Sequence, residues 1–148
     1  MVDEEKSTIR KRVISTIVAL VAFAFVMPLD AAASESAPKT VQGATTIDVA
    51  KAKELFDQGV VFVDPRKDAD WDAGRIPGAE HLEISTALTK DNLAAVVGQD
   101  QPVVFYCNGE KCMLSPEACQ KAVKWGWKQV YFFRAGFPAW KAAGLPVE

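Results

Sequence analysis

The sequence predicts an α/β fold: a mostly parallel sheet flanked by helices on both faces. Three observations carry this. Apolar runs of strand length alternate with segments of helical period after about residue 45. The strand runs are apolar throughout, as in Val60-Val61-Phe62-Val63 and Val103-Val104-Phe105-Tyr106, which marks strands covered on both faces. A chain of 148 residues with 49% hydrophobic and 24% charged residues holds one ordinary globular domain and little more.

The elements follow in order. Asp48 suits the N-cap of a helix through Gln58, with Gly59 just past its end, and Val49, Ala52, Leu55 and Phe56 share one face. Val60 to Val63 reads as a buried strand closed by Asp64-Pro65. Asp68 to Ala73 makes a helical turn ending at Gly74, and Ile76-Pro77-Gly78-Ala79 turns into a short strand near Glu80 to Ile84. Leu93 to Val97, after Asp91, is a short helix ended by Gly98. Val103 to Tyr106 is the next strand, and Cys107 follows it directly. Ser115-Pro116-Glu117 reads as a helix start with Ser115 as N-cap, running to about Trp125 and stopped by Gly126. Gln129 to Phe133 is a further strand, and Phe137 to Ala143 a last helix ended by Gly144.

The N-terminus differs in kind. Met1 to Arg12 is charged, Val13 to Leu29 carries no charge, and Ala31-Ala32-Ala33 offers small residues at a cleavage site. Residues 1–33 are therefore expected to be a secretory signal peptide, with an uncleaved membrane anchor as the alternative. Ser34 to Ala44 is polar, small and contains Pro and Gly, so residues 34–44 read as a linker before a domain at 45–148. Export would place the domain in the periplasm. The formal net charge is −2, and there is no general attraction to nucleic acid or anionic membrane. Any anion chemistry must come from a local site.

The candidate site is Cys107-Asn108-Gly109-Glu110-Lys111-Cys112-Met113-Leu114-Ser115. In a parallel α/β sheet, ligands bind beyond the carboxyl ends of the strands, and Cys107 sits at such an end before a helix N-terminus. A loop there points backbone N–H groups and the positive helix end at a common centre, an anion cradle. A thiol in that cradle ionises more easily, and the thiolate is the nucleophile. A buried, inert cysteine is the alternative, which the polar, turn-rich setting opposes. Lys111 is the only cation in the loop, and Gly109 permits backbone that other residues avoid.

At these residues a resemblance emerges. The segment VFVDPRKDADWDAGRIPGAEHL resembles the rhodanese pattern of an apolar strand, Asp-x-Arg, an aromatic, then Gly-His-Ile-Pro-Gly-Ala, through Asp64, Arg66, Trp71, Gly74, Ile76, Pro77, Gly78 and Ala79. VVFYC resembles the strand that ends in the family's reactive cysteine, and VYFFRAGFPAWKAAGLPVE resembles its closing stretch, with Gly136, Phe137, Trp140 and Gly144 in place. The match runs from about Thr45 to Glu148, and three pieces in order make it specific. The resemblance implies a five-stranded sheet and a persulfide on Cys107. A donor such as thiosulfate loads that persulfide, and a thiol or cyanide-like acceptor unloads it. It also implies that Asp64 and Arg66 brace the loop, with Ser115 supporting; a purely structural ion pair is the alternative for Asp64 and Arg66. There are departures. Arg75 replaces the usual His, Pro65 interrupts Asp-x-Arg, and the loop is long, with seven residues between Cys107 and Ser115. It lacks the Arg with which resembling phosphatases and arsenate reductases hold an oxyanion, which places those activities low.

Three cysteines are an odd number for an exported protein. Cys119 shares an apolar helix face with Ala118, Ala122 and Val123 and is expected in the core. Cys112 is expected either to attack a persulfide on Cys107, releasing sulfide and closing a disulfide, or to line the loop. Cys-x4-Cys with His81 as the one histidine is a poor zinc spacing, and neither metal nor cofactor is expected. His81 itself is expected at a surface or edge position. Trp71 and Trp140 match aromatic positions of the family, while Trp125 and Trp127 close the helix after the loop. Two functions remain open: a sulfurtransferase, or a dithiol redox or persulfide-carrier module served by a periplasmic redox partner.

Overall fold

The structure is a computed structural model and describes residues 36–148. The expected export segment, residues 1–33, lies outside the described residues. Five strands, β1 (Ala44–Ile47), β2 (Val61–Asp64), β3 (Glu80–His81), β4 (Val103–Tyr106) and β5 (Val130–Phe133), form one sheet in the order β1-β5-β4-β2-β3. Every pairing is parallel. Five helices connect and cover it: α1 (Val49–Asp57), α2 (Asp68–Asp72), α3 (Lys90–Val96), α4 (Leu114–Trp125) and α5 (Gly136–Ala142).

The solid apolar strands have the two-sided burial their composition implies. Val63, Val103, Phe105, Val130 and Phe132 face one layer, with Leu93 of α3 and Ala118, Cys119 and Ala122 of α4. Phe62, Val104, Tyr106 and Phe133 face the other, with Ala52 and Leu55 of α1 and Phe137 and Trp140 of α5. Alternate side chains of a strand thus enter opposite cores, and each helix needs only one apolar stripe. Asp48 caps α1 by accepting from the Lys51 amide at 2.8 Å, as its position implies. Gly126 ends α4 in the left-handed region at φ 105°.

The structure departs from the sequence reading in four places. First, α3 begins earlier, because Thr89 rather than Asp91 supplies the cap and accepts from the Asn92 amide. Second, the strand expected over Glu80 to Ile84 keeps two residues. Leu82 and Ile84 still donate to the carbonyls of Asp64 and Pro65, but Pro65 has no N–H to return a ladder bond. Third, the segment read as a linker is no loose tether over its described part. Ala37 and Val41 are buried in the core at 2% and 4% exposure, and Ala44 opens β1. β1 is an edge strand of alanine, two threonines and one buried isoleucine, too polar to stand out as a strand.

Fourth, Ser115 is not the N-cap. The helix starts one residue earlier, after Met113, and Ser115 lies buried inside its first turn. The reason is upstream: Cys112 donates to the Gly109 carbonyl and Glu117 to the Met113 carbonyl, so the loop closes as a turn that runs straight into the helix. Pro116 tolerates this position, since first-turn amides have no intrahelical acceptor.

Candidate active site

The carboxyl ends of β2, β4 and β5 lie side by side and deliver Asp64, Cys107 and Arg134 to one end of the sheet. Cys107 follows β4 and is almost fully buried, at 1% exposure. Its carbonyl accepts from the Phe137 amide at 2.8 Å. Gly136, at φ 63°, passes so close that a Cβ there would overlap the Cys107 carbonyl. The N-terminus of α5 therefore fixes the backbone of the cysteine while its sulfur faces the loop.

Next comes Asn108, exposed, whose Oδ1 accepts from Arg66 Nη1 at 2.9 Å. Arg66 and Asp64 form a buried ion pair. Arg66 Nη2 donates to Asp64 Oδ2 at 2.6 Å, Nε donates to the same carboxylate, and Nη2 also donates to the Gly74 carbonyl at 2.8 Å. The guanidinium also lies against the rings of Phe137 and Tyr106, at 4.9 and 5.6 Å. Burial alone would lower the Arg66 pKa, yet the Asp64 bonds and charge outweigh it and hold it above the ordinary value. The two readings of this pair coexist: it is a structural ion pair, and it reaches the loop through Asn108.

Gly109 is buried at φ 111°, in the left-handed region its residue type permits. Its carbonyl accepts from the Cys112 amide at 3.0 Å, forming a tight turn over Gly109 to Cys112. Within it Glu110 and Lys111 are exposed and Cys112 is partly buried. The turn brings Cys112 back to Cys107: the two are joined by a disulfide, with Cα atoms 6.2 Å apart. Met113 stands exposed, Leu114 is half-buried as the first residue of α4, and Ser115 Oγ is buried without a hydrogen-bond partner. Among the described residues, the amides of Asn108, Gly109, Glu110 and Lys111 have no protein acceptor. They remain available to an anion at the mouth of the loop.

The remaining candidates separate clearly. Cys119 is fully buried, and burial pushes its thiol far above the ordinary range, which suits a core residue and no nucleophile. His81 is half-buried at the sheet edge, stacked on Trp71 at 4.5 Å, with Nε2 2.9 Å from the Arg66 carbonyl. It supports Arg66 and lies apart from the cysteines in the chain of contacts. Arg75 pairs with Glu148 at 2.8 Å and packs over Trp71. No group of three metal-ligating side chains occurs among the described residues.

Sequence reasoning missed two contributors. Gly136 was visible only as part of a pattern; its close approach to Cys107 is a tertiary fact. Arg134 carried no signal at all, yet its Nη1 lies 2.9 Å from Glu110 in the loop.

This geometry coincides with known proteins. The model of the rhodanese-like domain matches residues 48–143. Thiosulfate sulfurtransferase GlpE of Pseudoalteromonas translucida is 36% identical over 101 residues, covering 66% of this chain and 89% of that one. An HTH-type transcriptional regulator of Mycobacterium tuberculosis is 38% identical over 89 residues, 60% of this chain, and the match spans only 38% of the regulator's length. Among solved structures, the Bacillus halodurans protein BH2092 superposes with a TM-score of 0.63 at 20% identity, over 71% of this chain and 77% of its own, a likeness of fold. With the parallel sheet, the strand-end cysteine and the Asp64–Arg66 brace, the chain belongs to the rhodanese-like domain family.

Proposed function

We propose that this chain moves sulfane sulfur from a small anionic donor such as thiosulfate to a thiophilic acceptor, through a persulfide on Cys107. Sulfurtransferase activity in general follows from the family and from relatives that carry that name. The route is our reading. The Cys107 thiolate attacks the outer sulfur of thiosulfate, the S–S bond of the donor breaks, and sulfite leaves with its electron pair. A thiol or cyanide then takes the outer sulfur, and Cys107 returns as thiolate. Free loop amides and the exposed Lys111 supply positive potential where the donor's sulfonate would rest. The observation that carries the reading is the placement of Cys107 at the end of β4, with its backbone held and its sulfur turned to a loop of unpaired amides.

The disulfide adds a second element. Cys112 is within bonding reach of Cys107, which supports a resolving role and keeps a dithiol redox or carrier reading alive. In either case the pair must be reduced before sulfur is loaded, which calls for a thiol reductant. The basic start, apolar run and Ala31-Ala32-Ala33 exit support an exported, periplasmic setting, where such a partner would reside. N-terminal sequencing from the native host tests this; a mature start near Ser34 is expected, and an intact Met1 or Val2 in a membrane fraction would favour the anchor.

Intact-mass measurement on reduced protein after thiosulfate addition tests the central claim. One added sulfur on Cys107, absent from a folded Cys107→Ser variant, is expected. Undiminished transfer by that variant would remove Cys107 from the reaction.

A further inference from the structure

The loop is held at three points, and the third involves the N-terminal strap of residues 36–43. Cys107 is held by the Phe137 amide and Asn108 by Arg66. Glu110 is held by Arg134 and Ala37 together. Arg134, just past β5, places Nη2 3.0 Å and Nε 3.3 Å from the Ala37 carbonyl, and Nε also donates to the Pro38 carbonyl at 3.1 Å. Its remaining corner, Nη1, pairs with Glu110 Oε1 at 2.9 Å. The Ala37 amide in turn donates to the Glu110 carbonyl at 2.6 Å. Arg134, Ala37 and Glu110 thus close a ring of contacts that joins the strap, β5 and the loop. Glu110 lies inside the turn from Gly109 to Cys112, so whatever fixes Glu110 also fixes where Cys112 stands.

We propose that Arg134 is a positioning residue. By clamping Glu110 to the strap, it holds the loop in the one arrangement that brings the Cys112 sulfur onto Cys107, and so sets how readily that pair closes. This deepens the proposed function, because it rests on Cys107 and Cys112 working as a redox pair. The chemistry is a two-electron exchange: two thiols of a reductant become one disulfide, and the Cys107–Cys112 bond becomes two thiols. Releasing the clamp frees the loop, lowers the effective concentration of one sulfur at the other, and makes the disulfide easier to reduce.

The test equilibrates the full-length protein with glutathione buffers of graded poise and reads the oxidised fraction by thiol alkylation and mass. Arg134→Gln and Glu110→Ala should each shift the equilibrium about tenfold toward the dithiol, roughly 30 mV for a two-electron couple. The double variant should move no further than either single one, because both remove the same contact. Glu110 is exposed, so its variant decides the matter even where Arg134→Gln fails to fold. A wild-type potential in Glu110→Ala, or fully additive shifts, would overturn the clamp. Sulfur loading of Cys107 by thiosulfate in the same reduced samples keeps the two claims apart. Loading with an unmoved potential defeats the clamp alone, whereas no loading in the wild type defeats the proposed function.

Discussion

Phe137 donates its amide to the carbonyl of Cys107 at 2.8 Å, so the first turn of α5 is part of the active-site frame. The contact exists only because Gly136 brings the chain against Cys107 with no side chain between them. Gly136→Ala would place a methyl group into the Cys107 carbonyl and hold a residue with a Cβ at φ 63°. Left-handed strain and overpacking each cost about 1–3 kcal/mol. The variant should lose at least about 2 kcal/mol of stability, read by denaturant unfolding, and should load less sulfur on Cys107. Wild-type stability would show that α5 yields without cost.

The Asp64–Arg66 pair makes a sharper energetic prediction. Both side chains are buried, and Arg66 also carries the bond to Asn108. Removing one partner leaves an uncompensated buried charge, at a cost of roughly 3–5 kcal/mol. Asp64→Asn and Arg66→Met should each fall in that range, and their double-mutant cycle should show strong coupling. Arg66 has a raised pKa in the fold, so its contribution is complete below its unfolded value and lost only on rising above it. Neither loss should vary across neutral pH. Urea midpoints between pH 6 and 8 check this, and additive, sub-kcal effects would reduce the pair to a surface-like bridge.

Much of this frame was legible because burial writes itself into strand composition. Val103 to Tyr106 could only be covered on both faces, and Cys107 directly after it could only stand at a strand end. The Asp48 cap was equally local. What was illegible depends on partners distant in sequence. Ser115 has every local mark of a cap, yet the Gly109–Cys112 turn starts the helix before it. Ala37 looks like linker until Arg134, far along the chain, is seen to hold its carbonyl. β1 is polar because one buried residue suffices at a sheet edge.

Cys119 offers a pH signature. Burial pushes its thiol far above the ordinary range, so the folded state holds the proton where the unfolded chain releases it. The sign follows: its contribution is complete below the unfolded value of about 8.5 and falls as pH rises past it, by up to ~1.4 kcal/mol per pH unit. Oxidised protein isolates the effect, since disulfide-bonded Cys107 and Cys112 do not titrate. Its stability should decline between pH 8.5 and 9.5, and Cys119→Ala should show a shallower decline from a lower starting value. Equal slopes would place the titration elsewhere. Iodoacetamide should leave native Cys119 unmodified over the same range.

Cys112 decides how long the sulfur stays. Its Cα lies 6.2 Å from that of Cys107, inside the range of about 4.4–6.8 Å that disulfides need. Cys112 is partly exposed while Cys107 is buried, so an incoming thiol reaches the Cys112 side more easily. Once Cys107 carries a persulfide, the Cys112 thiolate can attack its inner sulfur. The bond to the outer sulfur then breaks, hydrosulfide leaves, and the disulfide forms with no external oxidant. Every such event silences the enzyme until a reductant restores both thiols. In Cys112→Ser the attack is impossible, while the turn held by the Gly109 carbonyl remains, because it uses the backbone of residue 112. The persulfide should therefore survive at least about tenfold longer in the absence of acceptor, a slowing of roughly 1.4 kcal/mol or more in barrier. Sulfur transfer to cyanide should continue without added reductant. Time-resolved intact mass after a thiosulfate pulse reads the first outcome, and thiocyanate formation reads the second. Equal persulfide lifetimes in the two proteins would reduce Cys112 to a lining residue. Loss of transfer in Cys112→Ser would instead make the pair a dithiol redox centre, with Cys112 indispensable to turnover.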